Sequence, residues 1–215
     1  MKAILIIATS LLVVHEVHSQ NTALTPLEDL KHFDGLYTEV NVGSQNVFGG
    51  SLVNDMDILA QESKLVTEIG LGYRKQFINN RLMAGLALSL GFLNGNLEHL
   101  DQSEPLKINY ENSSQLSFGL TTGVLLGKHR RLLVFGYLNE TKRKFQVTID
   151  QPPYNFTQQD KQGMLKYGVG LEYQAFKRLH AKASFGSLRV DFGNRQTNID
   201  VEDKYDLMMG VVYQF

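Results

Sequence analysis

The chain contains no cysteine and no tryptophan, and its charges nearly cancel. Without cysteine, a disulfide scaffold, a thiolate metal site and a cysteine nucleophile are all excluded. A formal net charge of −1 provides no long-range field that would favour binding to nucleic acid or to an acidic surface. One long apolar run is present, at the amino end, and no later run approaches it in length. We therefore expect no membrane-spanning helix in the mature protein.

The amino end has the order of a secretory signal peptide. Lys2 is followed by an apolar run over residues 3–14, which is too short to cross about 30 Å of hydrocarbon as a helix. A small residue, Ser19, suits the position before a cleavage site. The sequence therefore predicts a signal peptide over residues 1–19, cleaved between Ser19 and Gln20.

Two further parts follow the signal peptide. Residues 20–34 are predicted to form a short periplasmic segment, in which Thr25-Pro26 begins either a short helix or a loose tail. Residues 35–215 are predicted to form one domain, because their length suits a single fold. An alternation of apolar side chains at every second position recurs through this domain.

The alternation is clearest at the carboxyl end. One face of the last stretch carries the apolar residues Tyr205, Leu207, Met209, Val211, Tyr213 and Phe215. The other face is mixed and includes Asp206 and Gln214. Successive side chains of a strand point to opposite faces, so this stretch forms a strand with one continuous apolar face. An apolar face that ends on a terminal aromatic is typical of the last strand of an outer-membrane barrel.

Eight stretches show this period of two, and they cover residues 36–47, 65–77, 82–92, 115–126, 133–145, 165–173, 179–192 and 205–215. In the fifth stretch we expect Leu133, Phe135 and Tyr137 to face outward. In the seventh stretch the alternation changes sense near Leu188, which suggests a β-bulge. Glycines recur on the faces predicted to point inward, where a small closed barrel has little room for side chains.

The connections between the stretches alternate in length. Short polar turns are predicted at residues 77–80, 127–131 and 175–178, and long polar loops at residues 48–63, 94–113, 146–160 and 193–203. Short periplasmic turns that alternate with longer outside loops are expected of an outer-membrane barrel. Aromatic residues are predicted to form two interfacial girdles, with Tyr73, Phe77, Tyr173, Tyr213 and Phe215 at the periplasmic side and Phe92, Tyr167 and Tyr205 at the outer side.

The signal peptide, the eight alternating strands and the pattern Met209-x-Val211-x-Tyr213-x-Phe215 resemble the small outer-membrane β-barrel superfamily of the OmpA/OmpX type. The resemblance covers residues 35–215. It implies an all-β fold, an eight-stranded antiparallel up-and-down transmembrane barrel in the cell outer membrane of a Gram-negative bacterium. It also implies insertion by the barrel-assembly machinery, which in this family reads the terminal aromatic strand.

Charged residues occur on the faces predicted to point inward, and they are Glu39, Glu68, Arg74, Glu140, Lys142, Lys166, Glu172 and Lys182. Because an unpaired buried charge is costly, these residues are expected to pair. We predict one pair between Glu172 and Lys182 and a second contact between Glu39 and Arg74. The charges form either a structural plug of the interior, which is the favoured interpretation, or the lining of a narrow pore.

No pattern in the sequence indicates catalysis, a cofactor or a metal site. His99 lies in a predicted loop, and His129 and His180 lie at or beside predicted short turns, away from a strand serine at the outer rim. The predicted function is a structural or surface-interaction role for a monomeric, porin-like barrel that contacts outer-membrane lipid and presents four loops to an outside ligand. The alternatives are a narrow passive pore for ions or small solutes, and a soluble carrier of lipocalin type with an apolar interior.

Overall fold

A computed structural model describes residues 31–53, 56–93, 95–101, 106–151, 154–191 and 204–215. The predicted signal peptide, the cleavage site and most of the predicted periplasmic segment lie outside these residues. The described residues form strand segments β1 Gly35–Val53, β2 Met56–Phe77, β3 Leu82–Leu93, β4 Leu97–Asp101, β5 Leu106–Leu126, β6 Leu132–Gln151, β7 Tyr154–Gln174, β8 Leu179–Asp191 and β9 Lys204–Gln214.

The strands close into a barrel. Most strands pair antiparallel with the next strand along the chain, and β1 also pairs with β9. Both β3 and β4 pair with β5, so they are two segments of one interrupted strand. The ring therefore has eight members, and the predicted eight-stranded antiparallel barrel is confirmed. In the part of the chain that the structure describes, no helix is long and apolar enough to cross a bilayer.

An apolar belt surrounds the outside of the barrel. Leu71, Met209 and Val169 are each more than half exposed, and their neighbours two residues away along each strand are apolar and exposed as well. The predicted girdle residues lie on this outer surface, and Tyr213 and Phe215 meet edge to face with ring centroids 5.2 Å apart. The outward apolar face is the opposite of what a soluble carrier with an apolar interior would show.

The interior is narrow, and glycines make room for the largest side chains in it. Tyr37 lies opposite Gly72 on the neighbouring strand, and Tyr137 lies opposite Gly168, which in turn pairs with Gly186. A Cβ atom built at Gly168 would lie 2.9 Å from the Tyr137 hydroxyl oxygen. The predicted inward placement of glycine therefore has a packing cause, because each ring occupies the space that a neighbouring side chain would need.

The two ends of the barrel differ. At one end, here called the turn end, three tight turns join the strands at residues 78–81, 127–131 and 175–178, close to the predicted positions. At the other, the hairpin end, long strands continue past the apolar belt. The connections predicted as loops at residues 48–63, 94–113 and 146–160 are mostly strand, since β1 and β2 stay paired as far as Val53 and Met56. Residues 193–203 lie outside the described residues.

This prediction of long loops was wrong because the alternation continues beyond the belt with its two faces exchanged, so that the apolar residues point inward and the polar residues point outward. In the extension of β6, Phe145, Val147 and Ile149 are buried inside, while Gln146 and Asp150 are exposed outside. A polar outer face suits water rather than lipid, so the sequence resembles a loop although the backbone remains a strand.

The predicted orientation of the fifth stretch was also wrong. Leu133 and Phe135 are buried inside the barrel, at 0% and 3% exposure, and Tyr137 is half-buried there. Val134 and Leu138 face outward instead. Leu132 to Phe135 is an unbroken apolar run, so apolarity alone does not distinguish its two faces.

The seventh stretch contains no bulge over the described pairing of β7 with β8, which keeps one register from Gly163 to Gln174. Leu188 is buried because it continues the inward face of β8. A register shift occurs instead in β5, between Asn112 and Ser114. A β-bulge changes which face the neighbouring residues occupy. On the hairpin-end side of the bulge in β5, the buried residues are Tyr110 and Ile108, which have even numbers.

Candidate functional site

The interior of the barrel holds the largest concentration of charge among the buried residues. The acidic side chains are Glu39, Glu68, Glu172 and Asp206, and the basic side chains are Arg74, Arg143, Lys166 and Lys182. Four negative groups thus face four positive groups. A balanced set of this kind can satisfy itself inside a low-dielectric interior, whereas an unbalanced set would draw in counter-ions.

Arg74 is the centre of the layer nearest the turn end. Its Nη1 lies 2.9 Å from Glu172 Oε2, and its Nε donates to Gln214 Oε1 at 2.9 Å. Arg74 belongs to β2 and Glu172 to β7, which lie on opposite sides of the eight-membered ring. The pair therefore bridges the lumen. The guanidinium also lies over the rings of Phe33 and Tyr37, at 4.9 Å and 4.6 Å from their centroids.

His180 completes this layer. Its Nδ1 lies 2.7 Å from Glu172 Oε1, and its ring is fully buried against Phe33, with centroids 4.8 Å apart. Because a carboxylate only accepts hydrogen bonds, Nδ1 carries the proton. The sequence places His180 beside a short turn, but its even position on β8 points it inward, where it fixes the orientation of Glu172.

A second ion pair lies beside the first. Lys182 Nζ is 2.6 Å from Glu39 Oε2. Glu172 and Lys182 are register partners on adjacent strands, as predicted, yet each pairs with a different residue. The predicted pairs Glu172–Lys182 and Glu39–Arg74 were thus wrong in their partners. The reason is that long side chains reach beyond the neighbouring strand inside the narrow lumen, as Arg74 of β2 does when it meets Glu172 of β7.

The layer nearer the hairpin end repeats this arrangement. Lys166 Nζ lies 2.8 Å from Glu68 Oε1 and 3.8 Å from Asp206 Oδ2. Gln115 donates to the same Glu68 oxygen at 2.6 Å. Glu68 on β2 and Lys166 on β7 again lie on opposite sides of the ring, so this pair forms a second bridge across the lumen.

Arg143 forms a third bridge, at the level of Gln45 and Gln115. Its Nη2 donates to Gln45 Oε1 at 2.6 Å and to Gln115 Oε1 at 2.9 Å, and its side chain is fully buried. The sequence pattern did not identify Arg143, because it predicts the opposite faces for β6. Asp206 was placed on the inward face but was not recognised as a partner of the network.

Apolar clusters lie beyond the charged layers at both ends. At the turn end, Phe33 is buried with Met83, Leu125, Leu133 and Phe135. Phe33 precedes β1, and its backbone N–H donates to Gln76 Oε1 at 2.8 Å. The last residues of the predicted periplasmic segment therefore enter the barrel mouth. At the hairpin end, a second cluster contains Val47, Ile108, Tyr110, Phe145, Val147 and Ile149.

A small polar cavity remains between the charged layers. Its volume is about 50 Å³, and Glu39, Lys182, Tyr137, Ser117, Lys166 and Asp206 are among the residues that line it. This volume suits a few water molecules. Within the described residues, no group of three His, Asp or Glu side chains is arranged to hold a metal ion.

Of the eight charged residues predicted to point inward, six lie in the interior: Glu39, Glu68, Arg74, Lys166, Glu172 and Lys182. Glu140 and Lys142 do not. Their side chains are 66% and 76% exposed on the outer surface, where Lys142 Nζ lies 3.6 Å from Glu140 Oε1. This error follows from the reversed faces of β6. The residues of the predicted assembly signal, Met209, Val211, Tyr213 and Phe215, lie on the outer apolar face of the barrel end.

Solved structures with a similar arrangement include outer-membrane proteins of three organisms. Ail, the attachment invasion locus protein of Yersinia pestis, is 14% identical, with 85% of this chain and 99% of that chain covered and a TM-score of 0.46. The N-terminal β-barrel domain of Pseudomonas aeruginosa OprF is 18% identical, with coverages of 85% and 98% and a TM-score of 0.42. A major outer membrane protein from Thermus thermophilus is 13% identical, with coverages of 84% and 99% and a TM-score of 0.48. Likenesses this remote carry no conclusion about activity or partners.

A family profile gives the firmer assignment. No curated protein matches the chain, but the profile of the outer membrane protein beta-barrel domain matches residues 11–215, a range that contains every described strand. The description of that family indicates the outer membrane as the location. By this match, and in agreement with its closed barrel and outward apolar belt, the chain belongs to the outer membrane protein beta-barrel family.

Proposed function

We propose that the protein is a monomeric, non-conducting barrel with a structural and surface-interaction role in the outer membrane. In this proposal the turn end faces the periplasm and the hairpin end faces the outside. The apolar belt contacts lipid, the interior network holds the strands together, and the extended hairpins present their tips to an external ligand.

The filled interior carries this proposal. Three side-chain bridges cross the lumen at different levels, through Arg74, Lys166 and Arg143. Apolar clusters lie at both ends. A barrel of eight strands is only just wide enough for its own side chains, and the cavity of about 50 Å³ between the layers is small. These features favour a structural plug over the alternative of a narrow passive pore.

Single-channel recording in planar bilayers tests this choice. The wild-type protein is expected to add no stepwise conductance. A variant with Arg74→Ser and Arg143→Ser removes two of the three bridges and serves as the positive control, provided that it still folds. Stepwise conductance of the wild-type protein would overturn the proposal in favour of the pore.

Migration on a gel tests the membrane barrel itself. A closed barrel has no free sheet edge at which unfolding can begin, so an unboiled sample from the detergent-extracted membrane fraction is expected to migrate faster than a boiled one. A protein that stays soluble and shows no such shift would contradict the placement in the membrane.

The proposed orientation is open to labelling, because the chain has no cysteine of its own. Glu111→Cys and Thr157→Cys each introduce one thiol at an exposed position of the hairpin end, and Lys128→Cys introduces one at the turn end. A membrane-impermeant maleimide applied to intact cells is expected to label the first two variants and to spare the third. The reverse pattern would show that the hairpin end faces the periplasm.

Export and assembly complete the proposal. The signal peptide is removed between Ser19 and Gln20, which the mass of the mature protein would reveal. The barrel-assembly machinery recognises the terminal strand with its pattern Met209, Val211, Tyr213 and Phe215. Phe215→Ala is expected to reduce the folded fraction in the outer membrane, whereas Tyr167→Ala, which removes an outward aromatic from another strand, is expected to leave it nearly unchanged.

The long connections at residues 48–63, 94–113, 146–160 and 193–203 are proposed to contact an external ligand. Loops and tips held by a rigid scaffold are the usual place for recognition. The buried cluster around Tyr110 and Val147 supports such a scaffold, because it gives the part of the barrel beyond the belt an apolar core of its own.

A further inference from the structure

The turn end carries a ring of basic side chains, here called the basic rim. The three tight turns and residues 31–34 contain Lys31, Arg81, Lys128, Arg130, Arg131, Lys177 and Arg178. The only acidic side chain in these four segments is Asp34. Six of the seven basic residues are exposed, and Arg130 is half-buried, where it donates to the carbonyl oxygen atoms of Asn79 and Asn80. The basic rim is thus an exposed patch of one charge sign.

The four long connections predicted from the sequence are, by contrast, mainly acidic. The four long connections at residues 48–63, 94–113, 146–160 and 193–203 contain twelve acidic residues and two basic ones. The formal net charge of −1 therefore conceals an uneven distribution of charge, with basic tight turns and acidic long connections. A distribution of this kind indicates that the tight turns and the long connections meet different chemical surroundings.

Two turns of the basic rim also expose an apolar side chain at the tip. Ile78 is 67% exposed and Phe176 is 70% exposed. Ile78 has a φ of 46°, a left-handed conformation that a β-branched residue rarely adopts. Gly or Asn would suit this backbone better, so the geometry of the turn does not explain the presence of isoleucine.

The basic rim lies directly beside the apolar belt. Lys75 is exposed on the outer face of β2, between Tyr73 and Phe77, which belong to the girdle at this end. Arg178 Nη1 lies 3.4 Å from the hydroxyl of Tyr213, another girdle residue. Aromatic girdles mark the level of the lipid headgroups. The cations of the rim and the two apolar tips are therefore at or close to headgroup level.

We propose that the basic rim binds the phosphate groups of anionic phospholipids in the periplasmic leaflet, with Ile78 and Phe176 inserted among the lipids as apolar anchors. This inference depends on the proposed membrane placement and orientation. Cations beside an apolar anchor match the two parts of a phospholipid, its charged headgroup and its chains. An anionic polymer of the cell wall would use the cations but would not need the apolar tips.

The first test uses the absence of tryptophan from the chain. Phe176→Trp places a single indole at one tip. After reconstitution into an equal mixture of phosphatidylglycerol and phosphatidylcholine, its emission is expected to shift to the blue and to be quenched by lipids brominated on their chains. Emission typical of water, without quenching, would overturn the insertion of this tip.

The second test measures the choice of headgroup. Folded protein in detergent is given phosphatidylglycerol and phosphatidylcholine of the same chain length, and the lipids that it retains are counted by native mass spectrometry. We expect a preference for phosphatidylglycerol. The variant with Arg81→Gln, Lys128→Gln, Arg131→Gln and Lys177→Gln is expected to lose at least about tenfold of this preference, since one cation near an anionic surface contributes about fivefold. This variant leaves Arg130 and Arg178 with their hydrogen bonds.

The matched control neutralises four exposed lysines at the hairpin end, namely Lys107, Lys142, Lys144 and Lys161. It is expected to keep the preference of the wild-type protein. An equal loss in both variants, or no preference in the wild-type protein, would overturn the proposal. If the wild-type protein shows no preference, its sedimentation with purified cell-wall sacculi would identify a polymer as the partner. The gel shift of each unboiled sample reports separately on the barrel, so failure of the lipid preference is distinguishable from failure of the membrane placement.

Discussion

Replacement of Arg74 by methionine is expected to destabilise the barrel strongly. Arg74 is 3% exposed and pairs with Glu172 at 2.9 Å, and methionine keeps much of its length while removing its charge. The carboxylate of Glu172 would remain in the interior with His180 as its main partner. A buried charge that loses its counter-charge is far more costly than an exposed one, because water cannot replace the lost interaction.

The magnitude follows from the contacts that are lost. Removing one partner of a buried ion pair costs about 3–5 kcal/mol in the free energy of unfolding. The two ring contacts of the buried guanidinium, with Phe33 and Tyr37, contribute about 1–2 kcal/mol each. The apolar side chain of methionine recovers a similar amount by packing against the same rings. We therefore expect a net loss of about 3–5 kcal/mol.

Equilibrium unfolding in urea measures this loss, with the folded fraction read from the mobility of unboiled samples on a gel. Lys142→Met is the matched control. Its side chain is 76% exposed and its ion pair with Glu140 is 3.6 Å long, so we expect a change of about 0–1 kcal/mol. The double variant Arg74→Met with Glu172→Gln should lose less than Arg74→Met alone, because no uncompensated charge is left inside.

Three outcomes would refute this reasoning. A loss below about 1 kcal/mol for Arg74→Met would show that the interior solvates the free carboxylate of Glu172. A loss as large for Lys142→Met would show that the outer face of β6 is not where the structure has it. Additive effects in the double variant would mean that the pair is not coupled.

Three further predictions concern packing and use the same unfolding measurement. Gly168→Ala should lower the free energy of unfolding by about 1–3 kcal/mol, because its Cβ would meet backbone atoms of β8. Gly136→Ala, whose Cβ would have one neighbour at 3.7 Å, should change it by no more than about 0.5 kcal/mol, and equal effects of the two variants would contradict the packing role of glycine. Phe33→Ala should cost about 3–5 kcal/mol, and an unchanged stability would show that the chain before β1 is not part of the barrel. Val147→Asp should be strongly destabilising while Gln146→Asp is tolerated, and the reverse would mean that the extension of β6 has its faces exchanged.

The sequence predicts the barrel well because lipid imposes a strict pattern. A residue that faces hydrocarbon must be apolar. The alternation alone therefore predicts which face of β2, β3, β7 and β9 points outward. Leu71 and Leu88, for example, are exposed as the alternation requires. The same logic places Glu68, Lys166 and Glu172 inside, since a charge in the belt would be costly.

The predictions failed where the interior of the barrel is apolar and where the outer face is in contact with water instead of lipid. Leu133 and Phe135 are apolar although they point inward, because the turn end of the lumen contains an apolar cluster. Beyond the belt, water replaces lipid and the polar face is the outer one, as at Gln146. The apolar face is then the inner one, and the sequence of the strand resembles that of a loop.

The pattern of alternation cannot predict which charges pair, and the reason is geometrical. Alternation fixes the face of a side chain, and register fixes its level, but neither gives the distance across the lumen. Glu172 and Lys182 are on neighbouring strands at one level, yet Arg74 reaches Glu172 from the opposite strand. The bridging pairs depend on the diameter of the closed ring, which no single strand encodes.

The sequence separation of the bridging residues has a consequence for the order of assembly. Arg74 and Glu172 are 98 residues apart, as are Glu68 and Lys166, and Glu39 and Lys182 are 143 apart. Each pair joins one of the first two strands to β7 or β8, so the observed partners meet only after those later strands are in place. A half-formed sheet in the bilayer would carry these groups unpaired, and such a state is unfavourable. An incomplete or misregistered barrel would therefore lack these ion pairs, and their stabilisation is gained only when the ring is nearly closed.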